Sequence, residues 1–177
     1  MIRYYVTDRS RGNLVEYAAR AIRDGVEMIQ IREKDLSARE LFELACSIRD
    51  IASGTKTRVL INDRLDIALA AGIDGVHLPG NGLPAGKVRP LVRLLGISVH
   101  SVEEAVQAES ARADFVVFGP VFDSPGKTPV GLEPLRQAAQ AVQIPVLAIG
   151  GITFDNAAQV LQAGASGIAG IRLFQKK

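Results

Sequence analysis

The chain has one cysteine, no tryptophan, two histidines and two methionines in 177 residues. A single thiol excludes both a disulfide framework and a thiolate-rich metal site. Cys46 falls on the apolar rhythm of Leu41, Leu44, Ala45 and Ile48 and reads as a small core residue. Long apolar runs are missing too: none approaches the roughly 18 residues of a membrane span. The opening MIRYYVTD enters a β-like run without a signal peptide's apolar region. A soluble, cytoplasmic protein without a membrane partner is the expectation. Neither sign of charge dominates: 21 basic and 19 acidic residues leave a net +2, with no block of like charge. A nucleic-acid partner is therefore not expected.

What is present is a recurring pattern. Short runs rich in Val and Ile stand at 3–8, 28–33, 58–63, 75–79, 94–100, 115–121, 144–151 and 167–172. Between them lie segments of helical period, among them 14–25, 38–52, 102–111 and 154–164, with Ser37, Ser101 and Thr153 placed as N-caps. Continuous apolar strands indicate burial on both faces, as in a parallel sheet covered by helices. The phrases RDGVEMIQI (23–31), AAGIDGVHL (70–78) and QAGASGIAGI (162–171) repeat one step, from a helix ending on glycine into a strand. Eight such units predict a single (β/α)8 TIM-barrel domain over 1–177. The doubly wound alternative usually carries a GxGxxG turn after its first strand, where this chain has VTDRSRGN. The tail RLFQKK (172–177) leaves no room for an eighth helix, so a homodimer or a rearranged helix is expected to cover strands eight and one.

Barrel chemistry gathers at the C-terminal ends of the strands. Those ends carry Thr7 and Asp8; Gln30, Arg32 and Lys34; Asn62 and Asp63; His77; Ser98 and His100; the Ser124–Thr128 loop with Lys127; Gly150 and Gly151; and Arg172. In QIREK, alternate residues share a face while the strand lasts, so an amide and two cations converge on one anion. Asp63 offers a carboxylate to a hard cation, or it caps a helix or pairs with Arg64 or Arg32. Gly150-Gly151 is read as opening the seventh helix with bare amides suited to phosphate. His100, among hydroxyls in SVHS, is the acid/base candidate. His77, in GVHLP, reads as a packed, hydrogen-bonded residue.

QIREK, INDRLDIAL, GVHLP, GISVHSVEEAVQAE, ADFVVFGPVF, PVLAIGGI and GASGIAGI, in this order across nearly the whole chain, resemble the thiamine phosphate synthase/TenI family. The resemblance implies a barrel acting on the small phosphorylated thiazole of thiamine biosynthesis. In the family's synthases, residues matching Gln30, Arg32 and Lys34 bind a pyrimidine diphosphate. Residues matching Asn62 and Asp63 stand at the strand-three pair, where aspartate holds magnesium. The second aspartate of that metal site falls at Gly82, in HLPGNGLP (77–84). The Thr-x-Thr-Lys stretch that contacts phosphate is SPGK (124–127) here, keeping a hydroxyl at Ser124 and the cation of Lys127. A serine that helps bind the thiazole phosphate falls at Arg172, which either binds the same phosphate or plugs the pocket.

These departures favour the TenI branch: a thiazole tautomerase, an isomerase without a cofactor. His100 would move the proton, and Gly150, Gly151, Arg172 and Lys127 would hold phosphate. The alternative is thiamine phosphate synthase, a transferase that joins the pyrimidine diphosphate to the thiazole phosphate with magnesium at Asp63. A non-catalytic phosphate-ligand binder or regulator is the third reading.

Overall fold

The fold is described from a computed structural model, covering residues 1–175. Eight strands form in chain order: β1 (Ile2–Val6), β2 (Met28–Ile31), β3 (Arg58–Asn62), β4 (Gly75–Leu78), β5 (Leu94–Val99), β6 (Phe115–Phe118), β7 (Val146–Ala148) and β8 (Gly167–Gly170). Each pairs in parallel with the next, and β8 returns to β1 through Tyr4↔Ala169, closing the barrel. Around it lie α1 (Leu14–Arg23), α2 (Ala38–Ala52), α3 (Leu65–Ala71), α4 (Ala85–Val88), α5 (Val102–Ser110), α6 (Leu132–Ala141) and α7 (Ala157–Gln162). This is the expected (β/α)8 barrel without an eighth helix among the described residues.

Strand alternation builds two kinds of core. Outward side chains such as Tyr5, Ile29, Ile31, Val59 and Ile61 meet α1, α2 and α3, and Val116, Phe118 and Ile168 meet the apolar residues of the opposite side. Inward side chains fill the barrel itself: Tyr4, Met28, Leu60, Phe115, Val117, Leu147 and Ala169. Gly96 makes this filling fit, because a Cβ there would lie 2.3 Å from the Phe115 ring and 2.9 Å from His77 Nδ1. Two aromatic rings therefore reach the axis across a strand that offers them no side chain.

The caps at Ser37 and Ser101 are present. Ser37 and Glu40 form a reciprocal capping box, and the Ser101 hydroxyl accepts from Glu104 N. Thr153 caps a turn rather than α7. It exchanges hydrogen bonds with Asn156, and α7 begins only at Ala157. After β8 the chain makes a turn over 171–175 in which Leu173 is buried and Phe174 lies 5.8 Å from the Tyr5 ring. Gln175 Nε2 ties the turn to Asp8 O at 2.8 Å. The outside of β8 and β1 thus receives cover from the chain's own tail. Lys176 and Lys177, the end of the tail singled out in the sequence, lie outside the described residues.

Among the described residues no helix is long and apolar enough to cross a membrane. Cys46 is half-buried and packs against the helix–strand core.

Candidate active site

A cavity of about 740 Å³ opens at the C-terminal ends of the strands. Val6, Gln30, Asn62, His77, Ser98, Val117, Ile149 and Ala169 form its floor and wall. The inward-facing rows thus continue upward from apolar filling into polar lining. Gln30, Arg32, Lys34, Asn62, Ser98, His100, Ser124, Lys127, Gly150, Gly151 and Arg172, all sequence candidates, line this one cavity. Asp63, exposed at its edge, and the strand-end residues Thr7 and Asp8 are not among the lining residues.

Arg32 and Lys34 lie beyond β2, which ends at Ile31. Their shared face survives because the extended alternation continues: Arg32 and Lys34 are exposed while Glu33 between them is buried. An anchor explains this. Thr7 Oγ1 donates to Glu33 Oε1 at 2.6 Å and accepts from Arg32 N at 2.9 Å, and Glu33 Oε2 accepts from Arg9 N at 3.1 Å. Glu33 was not among the sequence candidates, although its place between two cations was the available signal.

Lys127 sits at the end of a tight turn whose centre is Pro125-Gly126. Gly126 has φ +73°, and Lys127 N donates to Ser124 O at 3.1 Å. Proline followed by a left-handed glycine is the pattern of a type II turn. Arg32, Lys34, Lys127 and Arg172 have no carboxylate partner among the described residues, whereas Arg9 and Arg64 on neighbouring loops are paired with Asp35 and Asp66. The lining acids are Glu104 and Asp123. Glu104 is already committed, accepting from His100 N at 2.6 Å.

Asp63 takes a left-handed backbone, φ +59°, fixed by its N–H donating to His77 O at 3.0 Å. It caps no helix and pairs with neither Arg64 nor Arg32, since α3 has no side-chain cap and Arg64 is bound to Asp66. Its carboxylate faces residue 82: a Cβ on Gly82 would lie 3.0 Å from Asp63 Oδ1. No cluster of three or more His, Cys, Asp or Glu able to hold a metal occurs among the described residues. Asp63 thus offers a single carboxylate at this edge of the cavity.

Gly150 and Gly151 lie in the turn after β7, not at the start of α7. This corrects the helix-opening reading. Their φ values are +93° and +64°, and a Cβ would strike Pro120 at 2.3 Å or Asp123 O at 2.6 Å. Only glycine lets this turn pass so close to the loop that carries Ser124 and Lys127.

The histidines divide the work. His100 Nδ1 donates to Gly119 O, so in the neutral ring Nε2 carries the lone pair. His77 is 2% exposed and bonded at both nitrogens, to Tyr4 Oη at 3.2 Å and Ser98 Oγ at 2.8 Å. Burial, with the Arg32 charge adding to it, lowers the His77 pKa to about 3. The ring is neutral at physiological pH.

A parallel barrel whose mouth collects cations without carboxylate partners is a framework for holding a phosphorylated small molecule. The chain belongs to the thiamine monophosphate synthase family, whose model matches residues 3–174. It is 42% identical over 178 residues to a thiamine-phosphate synthase of Caldanaerobacter subterraneus, covering 95% of this chain and 83% of that one. A Geobacter sulfurreducens relative, 44% identical over 176 residues (94% of this chain, 83% of its own), carries the same name in provisional form. The solved thiamine phosphate pyrophosphorylase of Pyrococcus furiosus superposes with a TM-score of 0.93 at 37% identity, covering 99% of this chain and 88% of that one. These likenesses overturn the preference for the TenI tautomerase branch and for an isomerase: similar proteins across the whole barrel bear the synthase name.

Proposed function

We propose that the protein is a thiamine-phosphate synthase, a transferase that joins a pyrimidine diphosphate to a thiazole phosphate. The observation that carries this reading is the convergence of Arg32, Lys34, Lys127 and Arg172 on one cavity without carboxylate partners among the described residues. Two anionic substrates provide what those cations lack, and the synthase names of the relatives agree. In the reaction a carbon–nitrogen bond forms to the thiazole, and the carbon–oxygen bond to diphosphate breaks with its electron pair leaving on oxygen.

Arg32 and Lys34, on the extension held by the Thr7–Glu33 anchor, orient the diphosphate together with Gln30. Lys127, on its turn beside Gly150 and Gly151, and Arg172 hold the second phosphate. Ser124 and Asn62 contribute polar contacts. Fixed cations at the leaving oxygens stabilise the charge that develops there. Asp63 would hold a magnesium ion, which supplies neutralisation of the diphosphate when bound.

The direct test is incubation of the pure protein with both substrates and magnesium, following thiamine phosphate and pyrophosphate. Equimolar formation of the two is expected. Absence of both would overturn the reading.

His100 has a smaller part in this chemistry than in a tautomerase, because the attacking thiazole nitrogen carries no proton to lose. His100→Asn is expected to keep at least about one tenth of kcat/KM, whereas removing a general acid/base costs about 10²–10⁴-fold. A loss of that larger size would return His100 to the chemistry.

A further inference from the structure

At the cavity floor, Tyr4 from the layer below and the lining residues Gln30, His77 and Ser98 form one chain of hydrogen bonds across four strands. Gln30 Nε2 donates to Tyr4 Oη at 3.0 Å, Tyr4 Oη meets His77 Nδ1 at 3.2 Å, and His77 Nε2 meets Ser98 Oγ at 2.8 Å. Tyr4 is fully buried, and Gln30 and His77 are nearly so. Only Ser98, at the end, is half-exposed toward the cavity.

The direction of this chain follows from counting protons. The buried Tyr4 oxygen accepts from Gln30 Nε2 and meets one further partner among the described residues, His77 Nδ1, which is therefore the acceptor open to its own proton. A neutral imidazole that accepts at Nδ1 carries its proton on Nε2 and donates it to Ser98. The serine oxygen then receives a donor from below, and its hydroxyl proton is left to point into the cavity. An obligate donor in a cavity lined by cations matches an oxygen that can only accept, such as that of a phosphate or diphosphate.

We propose that Tyr4 and His77 are positioning residues that hold Ser98 as a one-way hydrogen-bond donor to a substrate phosphate oxygen. This inference rests on the anion-binding part of the synthase reading, not on the bond-forming step. Tyr4 is sealed from the cavity, and both ring nitrogens of His77 are already bonded, so neither has a polar atom left for substrate. They act by denying Ser98 the alternative of donating its proton back into the protein.

Two measurements test it. The first is the nitrogen NMR spectrum of the histidines in the ligand-free protein, with His77→Gln used to assign the signals. The Nε2-protonated tautomer of His77 is expected, and the Nδ1-protonated tautomer or an imidazolium at neutral pH would overturn the proposal. The second is the affinity for inorganic pyrophosphate with magnesium in Tyr4→Phe, Ser98→Ala and the double variant.

Ser98→Ala is expected to weaken binding about tenfold or more, as for loss of a hydrogen bond to a charged group, and Tyr4→Phe about threefold to tenfold. In the Ser98→Ala background Tyr4→Phe should weaken it no further, because its effect passes through the serine. Equal losses from Tyr4→Phe in both backgrounds, or unchanged binding in Ser98→Ala, would overturn the proposal. If these binding results hold while no thiamine phosphate forms, the relay stands and the assignment of the reaction falls.

Discussion

Removing divalent cations with EDTA is expected to lower thiamine phosphate formation by about 10³-fold or more, the scale set by several kcal/mol of charge stabilisation on the diphosphate. Asp63→Asn should raise the magnesium concentration needed for half-maximal rate by about tenfold or more. The backbone at this position is left-handed, φ +59°, a conformation asparagine accepts, so the variant tests the charge and not the fold. Gly82→Asp gives the converse: a second carboxylate beside Asp63 Oδ1, where the Cβ would already lie 3.0 Å away, should lower the magnesium requirement. Pro79 crowds the same point at 3.0 Å, so part of the gain is offset by local adjustment. Full activity in EDTA would remove magnesium from the proposed reaction.

Residue 82 also shows why the sequence alone points to the other branch. Counting protein carboxylates, Gly82 looks like a lost metal site, and Gly126 and Arg172 look like further losses. A magnesium ion held as proposed, by Asp63 and substrate oxygens, would leave little trace in a protein sequence. The relatives that bear the synthase name tipped the balance that motif departures alone had set the other way.

The architecture was far more legible. Runs such as RVLIN and FVVF, apolar on both faces, can be buried only between an inner filling and an outer helical layer, and eight of them close a barrel. Strand ends then named most of the cavity lining. The errors have local causes. Gly150-Gly151 was placed on a helix because the Thr153–Asn156 turn, which delays α7, shows no break in helical period. Glu33 and Tyr4 went unread because their roles depend on partners 26 residues away, at Thr7 and Gln30 respectively. His77 could be expected to be packed and bonded, but its partners come from β1 and β5 and meet it only once the barrel closes.

The buried imidazole makes stability depend on pH in a direction that can be worked out. His77 has a pKa of about 3 in the folded chain against 6.5 when unperturbed, because burial opposes its charge and Arg32 repels it. Of the other groups facing it, Tyr4 has its pKa raised by burial and stays neutral throughout. Between those two pKa values the unfolded chain binds a proton that the folded chain refuses, so unfolding is favoured as pH falls. The full contribution is present above about pH 6.5 and is lost progressively toward pH 3. At pH 4.5 the loss is about 3 kcal/mol, from about 1.4 kcal/mol for each pH unit below the unfolded value while the folded ring stays neutral. Urea unfolding at pH 7.5 and 4.5 should therefore show the unmodified protein losing about 3 kcal/mol more than His77→Gln. Surface carboxylates titrate in the same range in both proteins and cancel in the difference, while any fixed cost of the glutamine shifts both pH values equally. An equal loss in the two proteins would mean that His77 accepts a proton in the folded barrel, and its assignment as a permanently neutral group would be wrong.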